Sequence, residues 1–278
     1  MVKLIMRYLG GKFYQVKDIL LLMKNHYGSF ETVVDVFGGA GTLLLNIPSD
    51  WKVNRIYNDI DKNLYTLFLV LQNDEKRAKL IEKLKLTFAH EQIFKDIRDN
   101  KLNVDNDPDI DIAFKILYLH TYSYFGDSHA FMRYYIHKNV PKFNIENFIF
   151  VRNWVIENKD FRIIMGKYNK NNVLFYLDPP YLKTGKRYKN SFNMQDFLDL
   201  KDILNKTQAN YILNLSLYDK EMINIFGEPN FVKEYKLPAS NTNNPPKSGD
   251  KWKMGFWYKF NENFKVKNSN IITLENFQ

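Results

Sequence analysis

The sequence predicts an α/β protein: a mostly parallel sheet with helices on both faces, interrupted by an inserted helical and hairpin segment. Three observations carry this reading. Short β-branched runs alternate with helix-patterned ones, the first such run ends in glycines, and a later apolar run stops at an acid followed by two prolines.

The first run, "TVVDVF" (Thr32 to Phe37), leads into Gly38, Gly39 and Gly41 and then into "TLLLN", which reads as strand, tight turn and helix. Glycines at such a turn let backbone approach a ligand closely, and they also serve a purely structural turn. The spacing lacks a third glycine at Leu44, which argues against a dinucleotide fingerprint. "NRIYND" repeats the plan, with Asp61 as N-cap of the following helix. Asp59, about 20 residues beyond the glycines, is free for a different role, because an acid there can accept from ribose hydroxyls. Further strands are expected at Asn172 to Asp178 and Tyr211 to Ser216. Between Asp74 and Asn153 two helical stretches lead into "FGDSHAFMRYYIHKNVPKF", with hairpin-like punctuation at Gly126, Asp127 and Pro141. We therefore expect residues 1–73 and 154–278 to form the main domain and 74–153 an insertion. In the insertion, Phe125, Phe131 and Tyr135 suit a small satellite core, whereas Arg133, His137, Lys138 and Lys142 suit solvent or a polyanion. "ASNTNNPPKSGDK" from Ala239 to Lys251 reads as a loop.

Composition narrows the chemistry. The chain has no cysteine, which excludes disulfides, thiolate metal sites and cysteine nucleophiles. Its five histidines lack metal-ligand spacing, so no metal is expected, and His120 reads as a structural histidine. The net charge of +9 over 278 residues makes a polyanion the first partner to consider, although many lysine-rich chains are basic without binding one. Nothing resembles a signal peptide or reaches the roughly 20 apolar residues of a membrane span. The expectation is a cytoplasmic protein with no membrane partner.

Five motifs occur in a fixed order: "RYLGGK" at Arg7 to Lys12, "DVFGGAGTLLLN" from Asp35, "NDID" from Asn58, "IENKDF" ending at Phe161, and "LFYLDPPY" ending at Tyr181. In this the chain resembles the Dam-type, D12 class DNA adenine-N6 methyltransferases, bacterial or phage. The resemblance implies a Rossmann-like methyltransferase fold, S-adenosylmethionine as methyl donor, and double-stranded DNA as partner. It implies cofactor-binding roles for Tyr8, Gly10, Gly11, Lys12, Asp35, Phe37, Gly38, Gly39, Gly41, Asp59, Asp160, Phe161 and Asp178. Asp59 would hold the ribose, while Asp160 and Phe161 would meet the cofactor's adenine.

For Asp178, Pro179, Pro180 and Tyr181 the resemblance implies catalysis, and the chemistry explains why. The adenine N6 lone pair is delocalised into the ring; a carboxylate and a backbone carbonyl that each accept one N6 hydrogen would make it pyramidal and aim it. Prolines fix φ and add no donor. Tyr181 would stack on a base rotated out of the duplex. The basic loop after Tyr181, with Lys186 and Arg187, would grip phosphate. Within 74–153, the implied target-recognition region, Arg133 and Lys138 are candidate DNA contacts. "FGDSH" replaces the Asn-Gly hairpin of the best-known members, so the recognised sequence stays open. A cognate restriction endonuclease is a candidate partner, and a monomer or weak dimer is expected. Methylation of another amino nitrogen, in RNA, cytosine N4 or protein glutamine, is the runner-up, followed by a silent DNA-binding module.

Overall fold

The computed structural model describes residues 2–8, 13–133, 142–180, 192–236 and 251–261, without the side chains of Phe125, Lys236 and Lys251. The chain divides into two compact units: residues 1–16, 38–47 and 61–158, and residues 17–37, 48–60 and 159–278.

The second unit is built on a sheet of β1 (Thr32–Asp35), β2 (Asn54–Asn58), β4 (Val173–Leu177), β5 (Asn210–Ser216), β6 (Phe231–Lys236) and β7 (Lys251–Lys259), which lie in the order β2-β1-β4-β5-β7-β6. β1 pairs in parallel with β2 and β4, and β4 with β5; β7 then runs antiparallel to both β5 and β6. The mostly parallel core matches expectation, and each expected strand is present with ends shifted by a residue or two. The antiparallel pair beyond β5 is an addition that the sequence reading did not contain.

Side-chain alternation divides the sheet into two chemically different faces. Val34, Val36, Ile56, Phe175, Leu177, Leu213, Leu215 and Trp257 point to one face. There they pack against α7 (Phe161–Lys167), α8 (Met194–Lys206) and α9 (Glu221–Phe226) through Ile164, Met165, Phe197, Leu200, Met222 and Phe226. The other face carries α1 (Val16–Asn25), whose Asp18 accepts from Lys233 Nζ at 2.6 Å and Tyr235 Oη at 2.8 Å. Helices therefore cover both faces, as a parallel sheet with two buried sides requires.

The first unit is largely helical, with α2 (Thr42–Asn46), α3 (Lys62–Gln72), α4 (Asp74–Leu86), α5 (Glu91–Arg98), α6 (Pro108–Tyr122) and the short strand β3 (Val155–Glu157). Three of these helices, α3, α4 and α6, start at side-chain caps. Asp61 accepts from the Asn63 amide, Asn73 from Lys76 and Asp107 from Asp109, with Pro108 in the first turn of α6. Phe68, Leu71, Leu80, Leu84, Phe94, Phe114, Leu117 and Tyr118 are buried, and α3, α4 and α5 all contact α6. The punctuation at Gly126 and Asp127 is a reversal of the chain: Ser123 pairs antiparallel with Phe131, and Phe131 packs 5.6 Å from Phe94. Among the described residues no helix is long and apolar enough to cross a membrane.

Candidate active site

The carboxyl ends of the parallel strands bring three acids onto one sheet face. Asp35 ends β1 opposite Tyr57 of β2 and Tyr176 of β4, so Asp59 and Asp178, two residues further on, share its face. Asp35 is 2% exposed, and its Oδ1 is buried with no hydrogen-bond partner among the described residues. Burial, followed by the charges of Asp178 and Asp59, pushes its carboxyl well above the usual carboxylate range. A buried acid without a partner is costly, and a cationic ligand group would relieve that cost. Pro179, next to Asp178, is buried at the strand exit. Fully buried Asn214 continues the row on β5, since the Leu177–Leu213 pair places it one step on, beside Asp178; Ser216 follows on the same face.

A second group is assembled by Asn58. Its Nδ2 donates to the Val36 carbonyl at 2.9 Å and the Lys159 carbonyl at 3.0 Å, while its Oδ1 accepts from the Lys159 amide at 2.9 Å. One buried amide thus fixes the end of β1 to the entry of α7, where Asp160 and Phe161 stand. Asp160 caps α7 by accepting from the Arg162 amide at 2.9 Å, and its carboxylate also pairs with the Arg162 guanidinium at 3.1 Å. The same guanidinium reaches Asp196 and Asp199 and lies 4.2 Å from the centre of the Phe161 ring. Phe37, Phe161 and Phe192 form an aromatic cluster with centroids 5.4–5.8 Å apart. Asp160 is therefore a well-positioned acid that already serves its own helix.

In the first unit the glycine turn is closed by the Gly41 amide donating to the Gly38 carbonyl at 2.7 Å. Gly41 has φ +65°, and a Cβ there would stand 2.9 Å from Phe68 and 3.1 Å from Trp154, so only glycine fits both the turn and the packing. The Tyr8 ring lies against Gly39, within 3.2 Å of where a Cβ would be. Tyr8 also packs 5.1 Å from His120, whose Nδ1 is 2.7 Å from the Gly126 carbonyl. Burial lowers the pKa of His120, in keeping with a structural histidine. Gly126, at φ +69°, leaves no room for a side chain beside the Arg7 carbonyl at 2.7 Å. Arg7 and Tyr8 are thus seated between the glycine turn and the chain reversal at Gly126.

Arg133 is exposed and makes a bidentate ion pair with Glu91 of α5. The Arg133 guanidinium and Lys95 hold the Glu91 carboxyl down at about 2. To read a base, Arg133 would have to leave Glu91. Gly10, Gly11, Lys12, Lys138, Tyr181, Lys186 and Arg187, together with Tyr135, His137 and the loop 239–250, lie outside the described residues. Among the described residues no three His, Asp or Glu groups are placed to hold a metal ion.

Two site residues were missed from sequence. Asn214 left a signal, a polar residue inside the apolar run "YILNLSL". Asn58 left a weaker one, since an amide beside an acid at a strand end reads as turn chemistry.

The family model for D12 class N6 adenine-specific DNA methyltransferases matches residues 8–234. The Type II methyltransferase M.CviBI of Paramecium bursaria Chlorella virus NC1A is 20% identical over 248 residues, covering 85% of this chain and 92% of that protein. The match runs from Tyr8 of the amino-terminal motif through the acids at the strand ends to Glu234 in β6, and the chain belongs to the D12 class N6 adenine-specific DNA methyltransferases, enzymes that methylate adenine in DNA with S-adenosylmethionine.

Proposed function

We propose that Asp178 and the backbone carbonyl of Pro179 accept the two N6 hydrogens of an adenine rotated out of duplex DNA, with Tyr181 stacking on that base. The observation that carries this reading is the place of Asp178: it leaves a fully buried strand at the carboxyl edge of a parallel sheet, next to buried Asp35. Ligands of open parallel sheets bind at that edge.

The residues present suit the cofactor. S-adenosylmethionine supplies an electrophilic methyl group on a sulfonium and also carries an ammonium, and the carboxylates of Asp35 and Asp178 would hold such positive charge. Asp59 would accept from the ribose hydroxyls, and Phe37 and Phe161 offer apolar surface for a ring. Tyr8, Gly10, Gly11, Lys12, Gly38, Gly39 and Gly41 are assigned to the cofactor on the family resemblance. Asp160 joins them with its carboxylate shared with Arg162. Holding N6 between two acceptors aligns its lone pair, and positioning of this kind lowers barriers without a covalent intermediate. Residues 74–153, with Arg133 and Lys138, are the proposed reader of the DNA sequence, and Lys186 and Arg187 its phosphate grip. A restriction endonuclease partner and a monomeric or weakly dimeric state belong to the same proposal.

The test is transfer of tritiated methyl label from S-adenosylmethionine to random-sequence duplex DNA, with the product digested to nucleosides. Label in N6-methyl-2′-deoxyadenosine for the wild type, and about 10²–10⁴-fold less for Asp178→Ala with the cofactor still bound at least weakly, is the expected result. Undiminished transfer by Asp178→Ala would overturn the assignment.

A further inference from the structure

We propose that Tyr218 and Trp252 form an aromatic platform that stacks a nucleobase of the DNA beside the active site, away from the target adenine. The inference rests on the assignment of the target adenine to Asp178.

The platform is a product of strand pairing. β5 and β7 run antiparallel with Ser216 opposite Met254, and the ladder continues when the Leu217 amide donates to the Lys253 carbonyl at 3.0 Å. Tyr218 is thereby brought opposite Trp252, and the rings stack with centroids 5.8 Å apart and planes at 10°. The Tyr218 amide donates to Ser216 Oγ at 3.2 Å, and Trp252 Nε1 donates to Met254 Sδ at 2.9 Å. The first bond fixes the Tyr218 backbone and the second the Trp252 ring. Yet Tyr218 is 67% exposed, so the pair adds little to the core and keeps an aromatic surface in water.

Location identifies what would cover it. Asp178, Asn214 and Ser216 follow one another across β4 and β5 on one sheet face, and Trp252 lies on that face of β7. Trp252 is four residues beyond the level of Asn214 toward the carboxyl edge and two strands from β4. At about 3.3 Å per residue and about 4.8 Å per strand, it stands on the order of 15 Å from Asp178. That is about four base steps at ~3.4 Å each, within the footprint of a duplex that delivers its adenine to Asp178. Exposed Lys220 follows two residues after Tyr218, whereas Lys253, next to Trp252 on β7, alternates to the opposite sheet face, where it pairs with Glu234 at 3.3 Å. Asp219, next to Tyr218 in the chain, accepts from the Glu221 amide at 3.3 Å. A stacked aromatic surface beside an exposed lysine suits a base that opening of the duplex around the target adenine leaves unstacked, because such a base presents a π face and its linkage a negative charge.

The test measures binding of the full-length protein to fluorescein-labelled random-sequence duplex DNA by anisotropy, with S-adenosylhomocysteine present. Tyr218→Ala should weaken DNA binding about 5- to 100-fold, the range expected for one lost base stack. Its S-adenosylhomocysteine affinity should match wild type by calorimetry, and Tyr218→Phe should restore DNA binding. Photocrosslinking of wild type to 5-iododeoxyuridine duplexes should label Tyr218 or Trp252 by mass spectrometry. Wild-type DNA affinity for Tyr218→Ala, with no crosslink at either residue, overturns the platform while leaving the methyltransferase reading intact. Loss of self-association in Tyr218→Ala with DNA affinity unchanged assigns the rings to protein contact and overturns it as well. A wild type that methylates no DNA sinks both.

Discussion

The two ends of the parallel strands solve the same problem in opposite ways. At the amino end, buried polar groups satisfy one another. Asn210 Nδ2 reaches the carbonyls of Ser29, Asn171 and Val173 within 3.0 Å, and its Oδ1 accepts from the Asn261 amide at 2.7 Å. Beside it, exposed Asn169 accepts through Oδ1 from buried Thr207 Oγ1 and the amides of Gln208 and Ala209. At the carboxyl end, Asp35 is about as deeply buried but has an oxygen without a partner among the described residues, with Asp59 and Asp178 beside it. Neutral amides that bond in both directions stabilise a fold; like charges packed together stabilise it only when a ligand arrives. Asn58 stands between the two cases, being located at the functional end but satisfied like the structural one.

This contrast predicts how each end should fail. The largest effect belongs to Asp178→Ala, which should lower kcat by about 10²–10⁴-fold, the range for a removed acid–base or electrostatic group, with an unchanged melting temperature. Single-turnover kinetics beside thermal unfolding would check both halves. Asn210→Leu at the opposite end should reverse the pattern. It leaves buried carbonyls unpaired at about 1–3 kcal/mol each, so Tm should fall by several degrees while the folded fraction keeps its turnover. A loss of turnover per folded molecule would blur the distinction between the ends.

Asn58→Ala should show both symptoms at smaller size. It releases Lys159 and with it Asp160 and Phe161, so we expect about 2 kcal/mol less stability and a weaker cofactor Kd with kcat largely retained. Calorimetry and steady-state kinetics separate the two.

The smallest effect is a gain. Asp35 has a raised pKa in the folded state, so its contribution to stability is fully present below the unfolded carboxylate value near pH 4 and is lost as pH rises through the folded value. Asp35→Asn, which does not ionise, should escape that loss and melt higher than the cofactor-free wild type at pH 8, at about 2–4 °C per kcal/mol relieved. The difference should shrink toward pH 4, and the variant should bind S-adenosylmethionine less well. Equal melting at pH 8 would mean that Asp35 is not a cost to the fold.

Much of this could be read along the chain because it depends on neighbours in sequence. Asp61 and the Gly38–Gly41 turn are local devices, as is the apolar strand that ends at Asp178, and each appears where its residue types require. What could not be read depends on pairs distant in sequence. Gly126 is needed because a Cβ there would stand 2.7 Å from the Arg7 backbone, and Arg133 is engaged by Glu91, 42 residues earlier. The hairpin-like signal at Gly126 was legible; its purpose as a seat for Arg7 and Tyr8 was not.

The residue types and their spacing by themselves determined the alternating α/β plan, the exclusion of cysteine chemistry and the acid at the strand exit, because capping, turn geometry and side-chain period act over a few residues. Only the tertiary structure decided which acids share a sheet face, that Asn58 joins β1 to α7, and that Tyr218 meets Trp252. Those outcomes follow from strand register and order, and register is settled by the whole buried face at once.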